Sequence, residues 1–97
     1  MKVYYFEEVL EFLARLNEKE RARISRTREF FEKYGFGIGP KYIKKVKSNL
    51  WELRAGNVRL FLGVIGGKVV GVHIVRKKSQ KLPLKDVRLA EKRSKEI

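Results

Sequence analysis

The chain has 97 residues, with 24 Lys and Arg against 11 Asp and Glu, one His and no Cys. This length fits one domain spanning residues 1–97, and 43% hydrophobic residues are enough for a folded core. The lack of Cys excludes disulfides, thiolate zinc sites and a cysteine nucleophile, and one His is too few for the common metal triads, so we predict no metal and no other cofactor. The N-terminus carries acidic residues too early for a signal peptide, and the longest apolar runs are too short to span a bilayer, so we expect a cytoplasmic protein.

The net charge of +13 is concentrated in the last two thirds of the chain. Residues 1–35 contain eight Lys and Arg and seven Asp and Glu, whereas residues 36–97 contain sixteen and four. Such a field attracts polyanions, chiefly nucleic acid, but also an acidic membrane surface or an acidic protein partner. A merely soluble, charged surface is the competing interpretation, and the segregation of the acidic residues argues against it.

The N-terminal third is predicted to be a strand followed by two helices. Residues 3–6 are β-branched and aromatic, which is typical of a short strand. Apolar residues at positions 9, 12, 13 and 16 form one helical stripe. Asn17 followed by Glu20 is the pattern of a capped helix start, and Gly35 is a natural end for that second helix. Two successive helices joined at Asn17 predict an antiparallel helical hairpin.

The rest of the chain is predicted to contain a loop, three strands and a last helix. Residues 35–40 form the loop, and residues 41–47 a mobile basic segment. Strands are expected at 50–54, 58–65 and 68–76, joined by turns at 55–57 and 66–67, and the last helix begins at Pro83. The predicted fold class is α+β: an N-terminal helical hairpin packed on a small twisted antiparallel sheet of three to four strands, with a C-terminal helix.

Alternation along the strands separates a core face from a charged face. Val58, Leu60, Leu62 and Val64 point one way, while Arg59 and Phe61 point the other. If the turn at 66–67 is tight, position 59 pairs near position 74 and Arg59 lies within reach of His73. Arg side chains bind phosphate with a charged fork, and aromatic side chains stack on bases. The charged face or its rim is therefore predicted to carry Arg54, Arg59, His73, Arg76, Lys77 and Lys78, with Phe61 or Trp51 for stacking and Glu52 beside Arg54 as its acid.

Each of these residues also has a plainer interpretation. Glu52 and Arg54 form a simple ion pair in that view, and His73 is a hydrogen-bonded sheet histidine. Lys77 and Lys78 are then ordinary solvated lysines at a strand end.

Three stretches in order resemble a known protein family. They are Leu50–Arg54 (LWELR), Arg59–Phe61 (RLF) and His73–Pro83 (HIVRKKSQKLP), followed by Ala90 and Arg93. The sequence resembles the RelE/HigB toxins of type II toxin–antitoxin systems, and in particular the phage-derived HigB-like branch of the RelE/ParE superfamily. The resemblance extends over residues 3–93. It implies a RelE-like fold and a ribosome-dependent mRNA endonuclease that inhibits translation and is kept silent by a bound antitoxin.

The implied reaction is attack of the RNA 2′-hydroxyl on the adjacent phosphate, which needs a base, cations and an acid. Matched by position, Arg54 and Arg59 hold the scissile phosphate, His73 is the candidate acid and Glu52 a possible base. The predicted catalytic set is Arg54, Arg59, His73, Arg76, Lys77 and Glu52, and the predicted RNA- or ribosome-binding set is Lys44, Lys45, Lys47, Phe61, Lys78 and Lys81.

The sequence departs from the family pattern in ways that keep two alternatives open. It lacks a Tyr near the C-terminus, Leu82 replaces the usual hydroxyl residue before Pro83, and Val75 stands where Phe is preferred. The alternatives are a ParE-like gyrase inhibitor and a catalytically inactive basic nucleic-acid-binding module. The expected partners are a small helix-turn-helix antitoxin with an acidic contact segment, together with mRNA and the ribosome, and no membrane.

Overall fold

The computed structural model describes residues 1–77 and 84–96. Its first half contains a short strand, two helices and a 3₁₀ turn: β1 (Val3–Tyr5), α1 (Glu7–Arg15), α2 (Glu18–Tyr34) and Gly35–Ile38. Its second half contains four strands and a helix: β2 (Ile43–Lys47), β3 (Leu50–Ala55), β4 (Val58–Ile65), β5 (Lys68–Arg76) and α3 (Leu84–Ser94).

The strands form one mixed sheet of five, in the order β1-β5-β4-β3-β2. Strands β2 to β5 are an antiparallel meander, whereas β1 lies parallel to β5 with Val3 opposite Val69. The prediction of an antiparallel sheet of three to four strands is therefore wrong. The segment predicted to be mobile supplies β2, because buried Ile43 anchors it opposite Leu53 while its lysines occupy an exposed sheet edge.

The predicted N-terminal helical hairpin is also wrong, because each helix packs on the sheet and not along the other. Helix α1 lies against β5, and α2 lies against β3. Between them Leu16 and Asn17 both have extended backbone, and Leu16 is buried in the core. The predicted start of α2 is confirmed: the Asn17 side chain accepts from the Glu20 N–H, and the Glu20 side chain accepts from the Asn17 N–H.

The sheet has buried apolar residues on both faces, whereas the alternation along β4 predicted one core face and one charged face. Leu60 and Leu62 point towards α1 and α2, where they pack with Phe31. Phe61 points the other way and packs with Val72 and with Ala90 of α3. Arg59 and Glu52 therefore belong to the face that α3 partly covers, since they alternate with the core residues of β4 and β3.

A β-bulge in β5 decides where His73 points. The β4–β5 turn is tight, with Ile65 opposite Lys68 as predicted, but the register shifts by one residue beyond Leu62. Leu62 pairs with Gly71 and Phe61 with His73, so Val72 is the extra residue. The shift places Arg59 opposite Val75 and turns His73 onto the face of Phe61.

Within the described residues, no helix is long and apolar enough to cross a membrane.

Candidate functional site

The centre of the candidate site is a pair of arginines on neighbouring strands, Arg54 of β3 and Arg59 of β4. They stand directly opposite each other in the β3–β4 register, and we call them the arginine pair. Glu52 lies beside them with only 3% of its surface exposed. Its Oε1 is 3.1 Å from Nε of Arg54 and 3.7 Å from Nε of Arg59, so one carboxylate neutralises part of two positive charges.

Arg59 is held more tightly than Arg54. It is 8% exposed, and its Nη1 donates to the carbonyl oxygens of Gly56 and Val58. Burial lowers the pKa of the Arg59 guanidinium, Glu52 opposes that shift, and the nearby Arg54 adds to it. Among the described residues, the buried Nε atoms of both arginines have no hydrogen-bond partner. The pair is thus a cationic site held in place by Glu52 and by the Gly56 and Val58 carbonyls, and its positive charge suits an anionic oxygen.

His73 is the second centre of the predicted site, and its side chain is 14% exposed. It stacks on Phe61 with the ring centroids 5.8 Å apart. Its Nε2 lies 2.8 Å from Oδ1 of Asp86, and its Nδ1 lies 3.5 Å from Nη1 of Arg93. Because an arginine can only donate, these contacts assign Nδ1 of the neutral ring as the acceptor and Nε2–H as the donor to Asp86. Arg93 also donates to the Val72 carbonyl at 2.9 Å, so these contacts fasten α3 to β5.

Arg76 does not join the arginine pair. It stands opposite Val58 and faces α1 and α2, where its Nε and Nη2 donate to Glu20 at 2.8 and 2.9 Å. Its guanidinium also lies over the Phe12 ring, 5.4 Å from the centroid. The hydrogen bonds from Arg76, followed by that from the Asn17 N–H, lower the pKa of Glu20 to about 2. The predicted catalytic set is therefore divided between the two faces of the sheet.

The remaining predicted residues lie around this centre in different environments. The Lys77 N–H donates to the Asn57 carbonyl at 2.6 Å, next to the β3–β4 turn. Lys44 stands opposite Glu52, whereas Lys45 lies over the Trp51 ring and Lys47 pairs with Glu91 at 3.3 Å. The Phe61 ring is fully buried, so its predicted role in base stacking does not fit its position. Lys78 and Lys81 lie outside the described residues.

The arginine pair lines one side of a cavity of about 530 Å³ that the sequence reasoning did not predict. We call this cavity the basic groove. It lies where the β3–β4 turn approaches α2, and no acidic side chain among the described residues lines it. Its lining residues are Arg23, Arg26, Thr27 and Phe30 of α2, Lys41 and Tyr42 before β2, and Arg54, Ala55, Gly56 and Arg59.

The β3–β4 turn brings α2 and the arginine pair together. Gly56 has φ +62, at the position where a two-residue hairpin turn needs a glycine. A Cβ at Gly56 would lie 2.9 Å from Nη1 of Arg23, so Arg23 lies directly over the turn. This wall of the groove could have been recognised from the spacing of its residues in the sequence. Positions 23, 26, 27 and 30 are three or four residues apart and therefore share one face of α2.

Within residues 1–77 and 84–96, no group of three or more His, Asp or Glu side chains is placed to hold a metal ion.

Two solved structures share the fold. A chain of the RelB–RelE antitoxin–toxin complex from Methanococcus jannaschii matches with a TM-score of 0.63 and 22% identity, covering 82% of this chain and 99% of its own. A chain of the YoeB–YefM complex from Staphylococcus aureus matches with a TM-score of 0.56 and 17% identity, covering 84% and 98%. At these identities the likeness concerns the fold alone, and it confirms the RelE-like part of the predicted fold class.

No curated protein matches the sequence. The family described as phage-derived protein Gp49-like matches residues 11–95, which includes both centres of the candidate site. The chain therefore belongs to the phage-derived Gp49-like family.

Proposed function

We propose that this protein is the toxin of a toxin–antitoxin system, of the HigB-like branch of the RelE superfamily, and that it cuts mRNA on the ribosome. The RelE-like fold and the Gp49-like family support a toxin of this superfamily. The observation that carries the nuclease proposal is the arginine pair, which stands in register on β3 and β4 and lines a groove together with three further cationic residues.

In the proposed reaction a base removes the proton of the 2′-hydroxyl as the 2′-oxygen attacks the adjacent phosphorus, and the 5′-oxygen takes up a proton as its bond to phosphorus breaks. The products are a 2′,3′-cyclic phosphate and a 5′-hydroxyl end. Negative charge builds on the phosphate oxygens as the pentacovalent state forms, and the arginine pair stabilises that charge without reorganising. Glu52 contacts the arginines and is itself buried, so we assign it to positioning them, and the base and the leaving-group acid are left unassigned.

His73 carries the strongest argument for a second candidate, a nucleic-acid-binding module without catalysis. Its Nε2–H is directed at Asp86 and its Nδ1 at Arg93, so neither nitrogen faces a substrate in this arrangement. The sequence also has no Tyr after residue 42. This candidate predicts RNA binding that weakens steeply with salt, with no cleavage even when ribosomes are present.

The proposed partner is an antitoxin with an acidic contact segment. The M. jannaschii structure is an antitoxin–toxin complex, and residues 36–97 of this chain carry a large excess of Lys and Arg. An acidic segment would be attracted to that half of the chain and would compete with RNA for the same charges.

Translating ribosomes loaded with a defined mRNA provide the test. We expect purified wild-type protein to cut the mRNA in the ribosomal A site, as mapped by primer extension, and its induction to arrest growth. Arg54→Ala, in a half-buried residue, should lower the cleavage rate about 100-fold, whereas Arg15→Ala, at the end of α1, should leave it unchanged. Full-rate cleavage by Arg54→Ala would remove the arginine pair from the mechanism. Inhibition of gyrase supercoiling without RNA cleavage would instead support the ParE-like alternative.

A further inference from the structure

A row of aromatic side chains extends the basic groove along α2. Phe30 lies between Tyr42 and Tyr34, with ring centroids 5.3 Å from each. Phe30 and Tyr42 line the groove, and Tyr34 continues the row one helical turn further on. We call these three residues the aromatic ledge.

Packing of the core does not explain the ledge. The apolar residues that α2 buries are Ile24 and Phe31, which lie on another side of the helix. Phe30 is 38% exposed and Tyr34 is 60% exposed. Large rings clustered on a surface usually mark a contact with a ligand or a partner, because exposed apolar area is costly in water.

Cationic side chains surround the ledge. Lys33 lies over the Tyr34 ring at 5.4 Å, and Lys41 over the Tyr42 ring at 5.5 Å. Arg23 and Arg26 continue the same stripe of α2 towards the arginine pair. From position 23 to position 34 the helix rises about 16 Å, a length that about five stacked nucleotides would cover.

We propose that the aromatic ledge and the basic groove bind an unpaired segment of RNA, with bases stacked on the rings and phosphates on Arg23, Arg26 and Lys41. This inference rests on the proposed function, because it takes RNA as the ligand, and it adds a binding subsite outside the arginine pair. Stacking on aromatic side chains combined with a cationic track is the usual means of holding single-stranded nucleic acid. The lysines over the tyrosines are exposed, so a base can displace them from the rings.

An acidic protein segment is the other occupant that a cationic groove could attract. Its carboxylates would pair with the arginines but would make no use of three clustered rings. The combination of exposed rings and cations, with no acidic lining among the described residues, therefore favours RNA.

The test is binding of a fluorescently labelled eight-nucleotide single-stranded RNA, measured by anisotropy with purified protein and no ribosomes. We expect the double variant Phe30→Ala/Tyr34→Ala to weaken binding about tenfold, and Tyr34→Ala alone to weaken it measurably. Phe30→Tyr should keep wild-type affinity, because the ring is retained. Circular dichroism melting checks that each variant is folded.

Tyr4 provides a matched control at the opposite edge of the sheet. It is 45% exposed, and Lys2 and Lys68 lie over its ring at 5.3 and 5.6 Å, so its environment resembles that of the ledge tyrosines. Tyr4→Ala should leave RNA affinity unchanged. The slope of affinity against salt gives a second readout: the ledge variants should keep it, whereas Arg26→Ala should reduce it by about 0.7, the contribution of one phosphate contact on a single strand.

Wild-type affinity in the ledge double variant, or an equal loss in Tyr4→Ala, would overturn the inference. If the ledge double variant lost affinity for an acidic peptide but kept its affinity for RNA, the inference would also be overturned, in favour of a protein partner. The binding assay contains no ribosomes, so its outcome does not depend on the proposed nuclease activity. If the protein binds RNA through the ledge but cuts no mRNA on ribosomes, the nuclease proposal is refuted and the ledge is supported.

Discussion

Replacing Glu52 by Gln tests how the arginine pair is held. The substitution keeps the size of the side chain and removes the carboxylate that lies 3.1 Å from Arg54 and 3.7 Å from Arg59. It leaves the charges of two arginines that are paired in register on β3 and β4 without their shared carboxylate, and Arg59 is only 8% exposed. We therefore expect Glu52→Gln to destabilise the folded protein.

The magnitude follows from these distances and from the burial. At an effective dielectric constant of about 20, each contact is worth on the order of 5 kcal/mol of gross Coulomb attraction. The cost of burying the charges offsets most of it, and removing one partner of a buried pair typically costs about 3–5 kcal/mol. Because Arg54 is partly exposed and therefore screened by solvent, we take the lower end, a loss of about 3 kcal/mol in unfolding free energy. For a chain of this size that is a drop of about 15 °C in Tm.

Urea and thermal unfolding of Glu52→Gln against wild type measure this loss. The control is Glu8→Gln, because Glu8 is exposed and lies 3.6 Å from Arg93, so its loss should cost no more than about 0.5 kcal/mol. A loss below about 1 kcal/mol for Glu52→Gln, or equal losses in both variants, would refute the view that Glu52 neutralises the arginine pair. Since Glu52 also competes with an incoming phosphate, the folded variant should bind RNA more tightly than wild type.

Two further substitutions test the contacts that place α2 and α3. Glu20→Gln should lower Tm at pH 7, and the difference in Tm from wild type should disappear between about pH 4.5 and pH 2. The pKa of Glu20 is lowered from an ordinary 4.5 to about 2, so the ionised carboxylate stabilises the fold above this range and that stabilisation is lost as the pH falls through it. A difference in Tm that is constant with pH would contradict this. Asp86→Asn should cost about 1.5 kcal/mol of unfolding free energy, because it weakens the bond of 2.8 Å to His73 that joins α3 to β5, and the exposed Lys85→Asn is its control in the same urea titration.

Local sequence signals predicted the parts of the fold that depend on neighbours along the chain. Asn17 and Glu20 predicted the start of α2, and the turn at Gly66–Gly67 predicted the pairing of Ile65 with Lys68. Strand alternation placed Arg59 on the face opposite Leu60, which led to the arginine pair. These features need only a few adjacent residues to be decided.

The same local signals could not predict which strands pair when they lie far apart in the sequence. The parallel contact of β1 with β5 joins residues more than sixty positions apart and has no local mark in the sequence. The lysines of β2 suggested an unpaired segment, although charged residues are also how proteins protect an edge strand. The bulge at Val72 and the approach of α2 to Gly56 depend on packing across the sheet, so the basic groove could not be predicted from the strands alone.

The chemical ends of the cut mRNA test most directly whether the arginine pair promotes attack by a 2′-hydroxyl on the adjacent phosphate. Translating ribosomes would carry either an all-ribose mRNA or the same mRNA with one 2′-deoxynucleotide on the 5′ side of the mapped cut. We expect a 2′,3′-cyclic phosphate end from the first mRNA and no cut at that position in the second. A cut at the 2′-deoxynucleotide, or a 3′-hydroxyl end from the all-ribose mRNA, would contradict this mechanism.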